Sequence, residues 1–114
     1  MKILGIGTDI IQNSRVEKLV KKKIFIKRTF GKNELKFSSK TINKTNYFAK
    51  RFAAKEAFAK SLGTGFRNSL NFKDIEILND KIGKPYYLKS KKIHNIVNKK
   101  YKNFNLCFSN CRNY

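Results

Sequence analysis

Two carboxylates stand out by their company. Asp9 lies in GIGTDII, a glycine-interrupted apolar stretch, and Glu56 lies in RFAAKEAFAKSLGTG among alanines and phenylalanines. The chain carries 7 Asp+Glu against 27 Lys+Arg, a formal charge of +20, so an acid in apolar surroundings is conspicuous. Burying a carboxylate without a cation is costly or shifts its pKa. Two such acids among lysines are a plausible donor set for Mg²⁺ beside a phosphate-bearing substrate, because Mg²⁺ takes one or two carboxylates and completes its shell with phosphate and water. Local readings compete. On the helix alone, a Glu56–Lys60 pair at i,i+4 is the simpler account, worth ~0.2–0.5 kcal/mol. Asp9 could equally end a strand and accept a nearby backbone N–H. Gly63, Thr64 and Gly65 either offer backbone N–H groups to phosphate oxygens or merely stop the helix.

Other chemistries are poorly supported. Cys107 and Cys111, with His94 as the single histidine, make neither a disulfide framework nor a zinc site. Reduced thiols in a cytoplasmic protein are expected. The start, MKILGIGTDIIQN, is unlike a signal peptide, and no apolar stretch is long enough to span a membrane. The positive charge favours acidic partners. Lysine far outnumbers arginine, and asparagine and isoleucine are abundant, as AT-rich coding produces, so charge alone does not name the polyanion. At 114 residues the chain fits one domain, 1–114, small enough that oligomerisation is the expected support.

The elements that must position these acids follow from periodicity. KILGIGTDII reads as a strand carrying Asp9. Ser14 is the expected N-cap of a helix over RVEKLVKK, with Glu17 at the capping-box position. KNELKFSSK suggests a short helix. A longer one runs from Thr45 or Asn46 to Leu62 and ends at Gly63. Around it apolar residues occupy nearly every direction, so it should be largely buried, with Lys50 and Ser61 left to solvent. NFKDIEILND alternates and predicts a half-exposed strand. Gly83 and Lys84 turn the chain into a short strand after Pro85, KKIHNIVNKKY has helical spacing, and FNLCFS reads as a final strand. The fold class is α+β, an antiparallel sheet packed on a long buried helix.

At this point a family resemblance emerges. GIGTDII, RFAAKEAFAKSLGTG and FKDIEILNDKIGKPYY, in this order and spacing, resemble the holo-[acyl-carrier-protein] synthases, small bacterial 4′-phosphopantetheinyl transferases. The resemblance spans Met1 to about Asn110, and its middle block is long and specific. It implies the family's 4′-phosphopantetheinyl transferase-like fold, a homotrimer with sites at subunit boundaries, and transfer of the phosphopantetheine arm of coenzyme A to a serine of apo acyl carrier protein. Carried over by position, Asp9 and Glu56 resemble the Mg²⁺ ligands. Lys55 and Lys60 match lysines near the coenzyme A phosphates, and Lys60 joins the two acids as a catalytic residue. Gly63, Thr64, Gly65 and Pro85 resemble positions lining the nucleotide. Arg15, Lys18 and Lys22, in a basic run that continues to Lys27 and Arg28, are expected to meet the acidic carrier. The default account of such a run is a solvated face.

The chain also departs from the family pattern. Gln12 replaces a usual acid, Asn13 a usual apolar residue, and Asn110 stands where relatives carry histidine or aspartate. The family pattern continues with a further strand past the position of Tyr114, so a shortened C-terminus with an exposed sheet edge is expected. A degenerate member that binds coenzyme A or assembles without efficient catalysis is therefore the alternative. A nucleic-acid module would need aromatics interleaved with Lys/Arg on an exposed face. Phe48, Phe52 and Phe58 fall on the buried helix instead, so no nucleic acid partner and no membrane partner are expected.

Overall fold

The structure, a computed structural model, describes residues 13–63 and 70–100. Everything in it is arranged around one helix. Helices α1 (Asn13–Val20), α2 (Lys23–Thr29) and α3 (Lys32–Ser38) lead into the long α4 (Lys44–Ser61). A 3₁₀ turn (Phe72–Asp74), strands β1 (Ile77–Asn79) and β2 (Pro85–Tyr87), and helix α5 (Lys91–Lys100) complete the order. The α+β class expected from the sequence is observed, with an antiparallel β1–β2 hairpin as the sheet among the described residues.

Local chemistry explains where α4 begins and ends. Asn43 caps it, its side chain accepting the Asn46 N–H at 3.0 Å. At the other end Gly63 takes φ 77°, which side-chain-bearing residues rarely adopt, and donates its N–H to Lys60 O at 3.0 Å. The hairpin is fixed in the same way. Gly83 has φ 88°, and Asp80 Oδ1 accepts the N–H groups of Ile82 and Lys84 at 3.0 and 2.8 Å. Ser90 caps α5 by accepting the Ile93 N–H at 3.2 Å.

Each half of α4 builds its own apolar cluster. Tyr47 and Phe48 pack with Phe30, and Val20, Phe25, Ile26, Leu35 and Phe52 close around them. Phe58 and Leu62 pack with Leu70, Ile75, Ile77, Ile93 and Val97. The first cluster is mainly aromatic: Phe30 and Phe48 centroids lie 4.5 Å apart, and Phe52 stacks on Phe72 at 5.2 Å. The Tyr87 hydroxyl donates to Ala54 O at 3.1 Å and ties the hairpin to α4 between the clusters.

Three expectations need correction. The residues after Lys22 form a separate helix, α2, whose Phe25 and Ile26 turn inward beneath exposed Lys27 and Arg28. Helix α1 begins at Asn13, so Ser14 lies within it and not ahead of it. The stretch from Phe72 to Asp80 is a strand only over Ile77–Asn79. Its first part coils because its backbone acceptors are taken elsewhere: Lys55 binds the carbonyls of Phe72 and Ile75, and Asp74 turns back to accept the Asn71 N–H at 2.8 Å. The expected first strand carrying Asp9 and the final strand FNLCFS lie outside the described residues.

Candidate functional site

The inward side of α4 carries a polar stripe. Tyr47, Arg51 and Lys55 recur every fourth residue, which stacks them on one side of the helix. The Tyr47 hydroxyl donates to Glu34 O at 2.6 Å. Arg51 donates to Ile77 O at 3.1 Å and to Asn79 Oδ1, and its guanidinium carbon sits 3.6 Å from the Tyr47 ring centre. Lys55 is 0% exposed, and its ammonium donates to Glu34 Oε1 at 2.6 Å, to Phe72 O at 2.9 Å and to Ile75 O. Glu34, also 0% exposed, uses Oε1 for the Gly31 N–H at 3.0 Å and Oε2 for the Ile77 N–H at 3.1 Å. Burial pushes the Glu34 carboxyl above its ordinary range and the Lys55 ammonium below its own, while each opposes the other's shift through the ion pair. Burial likewise raises Tyr47 and lowers Arg51.

This overturns the expectation for Lys55. All three of its donors are occupied by protein acceptors in a fully buried setting, so it has none to offer a coenzyme A phosphate. Lys60 differs. It is exposed one turn beyond half-buried Glu56, and the pair shares a side of α4 with half-buried Phe52, Ala53 and Ala57. Alanines there keep that side low, leaving room for a ligand to approach the carboxylate. Exposed Gly63 follows at the helix end. Pro85 is exposed at the start of β2, opposite Asn79. Arg15, Lys18 and Lys22 are exposed along α1 and its junction with α2. Asp9, Thr64 and Gly65 lie outside the described residues.

The remaining acids sort themselves by occupation. Glu34 is committed to Lys55. Glu76 caps α3, its Oε2 accepting the N–H groups of Asn33 and Glu34 at 2.9 and 3.2 Å. Asp74 caps the 3₁₀ turn and pairs with Lys92 at 2.8 Å, and Asp80 holds the hairpin. Glu17 is exposed on α1. Glu56 combines partial burial with a side of small residues. Among the described residues no three metal-ligating side chains cluster. Mg²⁺ does not need three, because substrate phosphate and water supply the rest of its shell. Glu56 therefore fits a Mg²⁺ site of the two-carboxylate kind.

The sequence and fold have counterparts among known proteins. The family model of the 4′-phosphopantetheinyl transferase superfamily matches residues 5–109. The chain belongs to that superfamily. The holo-[acyl-carrier-protein] synthase of Pelagibacter ubique (strain HTCC1062) is 51% identical over 118 aligned positions, covering 100% of this chain and 92% of that protein. The crystal structure of the Neisseria meningitidis holo-[acyl-carrier-protein] synthase is similar with a TM-score of 0.80 at 39% identity, covering 86% of this chain and 80% of the other. The Bacillus anthracis synthase, solved in complex with CoA (3′,5′-ADP), gives a TM-score of 0.71 at 41% identity over 78% and 77% of the two chains.

Within this phosphopantetheinyl transferase, sequence reasoning missed the inward stripe and its partner Glu34. Twenty-one positions separate Glu34 from Lys55, and no local pattern joins them. One signal was available. A lysine on a helix predicted to be buried requires a carboxylate, and only seven acids could supply it.

Proposed function

We infer that the chain transfers the 4′-phosphopantetheine group of coenzyme A to a serine of apo acyl carrier protein, releasing adenosine 3′,5′-bisphosphate. The observation that carries this reading is the end-to-end match of the chain to a holo-[acyl-carrier-protein] synthase, with the RFAAKEAFAK block folded as α4. A degenerate member of the family is not favoured, because the match to the Pelagibacter protein takes in the whole chain.

In the reaction the serine oxygen forms a bond to the β-phosphorus of coenzyme A, the bond to adenosine bisphosphate breaks, and the serine proton is released. Such transfers depend on positioning and charge neutralisation. Asp9 and Glu56 would hold Mg²⁺, which supplies charge neutralisation on the pyrophosphate and the leaving group. Lys60, exposed one turn after Glu56, would hold a phosphate as a point charge. Gly63, Thr64, Gly65 and Pro85 would line the nucleotide. Arg15, Lys18 and Lys22 would orient the acidic carrier, and Lys27, Arg28 and Lys73 extend the positive surface around a pocket that also includes Phe72.

The protomer is read as one third of a homotrimer working in the cytoplasm, where coenzyme A and its carrier meet. Ile42 and Ile82 are 102% and 88% exposed, and Phe37 also faces outward, apolar surface that assembly could cover. Light scattering at micromolar concentration should return three protomer masses; a monodisperse monomer would refute the trimer. The activity is tested by incubating apo carrier with coenzyme A and Mg²⁺ and weighing the carrier. The expected result is the phosphopantetheine mass increment, lost in Glu56→Gln with the circular dichroism unchanged. An unmodified carrier under saturating conditions would refute the assignment.

A further inference from the structure

The buried pair poses a question that stability does not answer. Exchanging a buried ion pair for apolar residues of similar volume is often neutral or stabilising, so the pair is weak evidence for a contribution to stability. Its position is more informative. Lys55 is the residue immediately before Glu56, and all of its acceptors lie on one wall of the molecule: Glu34 on α3, and Phe72 and Ile75 on the segment entering β1. Arg51, one turn earlier, reaches the same wall at Ile77 and Asn79, and Tyr47, two turns earlier, reaches it at Glu34 O.

Apolar packing alone would leave α4 some freedom to turn about its axis, since such contacts have little directionality. Buried hydrogen bonds do not, because a small rotation leaves a donor unpaired. Successive residues of a helix are about 100° apart, so pinning Lys55 inward fixes the direction in which Glu56 leaves the helix. The leverage is large. A side-chain tip roughly 5–6 Å from the axis moves about 2 Å for a turn of about 20°, whereas Mg²⁺ requires ligand oxygens at about 2.0–2.1 Å in near-octahedral geometry.

We propose that Lys55 and Glu34 are positioning residues: their ion pair sets the rotation of α4 and thereby holds Glu56 at the angle at which it meets the cation. The proposal rests on the assignment of Glu56 made above. Lys55 and Glu34 are fully buried, so they act through Glu56 rather than on substrate directly.

The test is the double variant Glu34→Leu/Lys55→Met in the full chain, followed by thermal unfolding, by Mn²⁺ binding in the presence of coenzyme A without carrier, and by steady-state transfer. Positioning predicts a folded protein whose Mn²⁺ dissociation constant rises at least about tenfold and whose kcat falls comparably, with KM for the carrier unchanged. A folded double variant with wild-type Mn²⁺ affinity and kcat would overturn the proposal, because the pair would then only hold the fold together. If the double variant does not fold, Glu34→Asp gives a second test. It keeps the charge and shortens the arm by one methylene, so severalfold weaker Mn²⁺ binding supports the proposal and unchanged binding overturns it. Failure of the underlying assignment looks different: Glu56→Gln would itself retain wild-type Mn²⁺ affinity and transfer.

Discussion

A methyl group added at Gly31 should expose how tightly α3 is docked. Gly31 has φ −79° and ψ 172°, a conformation open to any residue, so the backbone does not resist alanine. In open space the exchange would stabilise by ~0.4–1 kcal/mol through the unfolded chain. Here the new Cβ would stand 2.5 Å from Glu76 Cδ and 2.7 Å from Oε2. Glu76 cannot withdraw freely, because that oxygen accepts the N–H groups of Asn33 and Glu34 and its other oxygen accepts Asn33 Nδ2 at 3.3 Å. Overpacking of this kind costs ~1–3 kcal/mol, and Glu76→Ala alone, which removes the cap of α3, costs ~0.5–2 kcal/mol. With Glu76 truncated the methyl has room, so the double variant should be no less stable than Glu76→Ala. Urea denaturation of the four proteins should therefore show favourable coupling of ~1–3 kcal/mol. Additivity within ~0.5 kcal/mol would mean that the Glu76 carboxylate does not occupy this position, and the docking of α3 on the segment before β1 would have to be reconsidered.

The buried pair predicts opposite pH responses for its two single variants. Lys55→Met leaves Glu34 buried without its cation and raises its pKa further above the ordinary 4.5. The folded form then binds the proton more readily than the unfolded chain, so this variant is most stable below about 4.5 and loses stability as pH rises through the folded pKa. Its melting-temperature deficit should shrink from pH 7 to pH 5, and a deficit that widens would sink the argument. Glu34→Gln strands the Lys55 ammonium and lowers it further below 10.5, so that variant should regain stability as pH rises toward 10.5. Near neutrality each single loss should cost ~3–5 kcal/mol. For carrier docking, Arg15→Glu should raise KM for the carrier severalfold at low salt and progressively less as salt is added, with coenzyme A affinity unchanged. An effect on coenzyme A instead would move Arg15 to the nucleotide site.

What the sequence made legible was whatever is encoded nearby. Helix α4 was visible from Thr45 or Asn46 to Leu62, its end marked by Gly63, although the Asn43 cap ahead of it was not read, and the hairpin was visible because Gly83 and Pro85 punctuate it. Helix α2 was hidden because its apolar residues, Ile24, Phe25 and Ile26, sit inside a run of lysines that reads as a solvated charge patch. The part of the alternating stretch that failed to become a strand failed for a distant reason, the capture of its carbonyls by Lys55. The candidate site divides in the same way. Glu56 was singled out by its surroundings on one helix, and Lys60 was added through the family resemblance. Lys55 was placed with them by the same resemblance, and only the three-dimensional arrangement shows it turned inward to an acid on α3.

The two clusters along α4 also impose an order on a chain that emerges from the ribosome one end first. The aromatic cluster draws on residues between Val20 and Phe52, so its members are all available once the N-terminal half of α4 has been made. Glu34 is by then in place, but Lys55 cannot yet be retired from water, since two of its acceptors belong to Phe72 and Ile75. The second cluster waits longer still, for Ile93 and Val97. A nascent chain can thus carry a closed first half while the inward lysine stays hydrated, and Lys55 finds its full set of acceptors only when the segment leading into β1 has been synthesised.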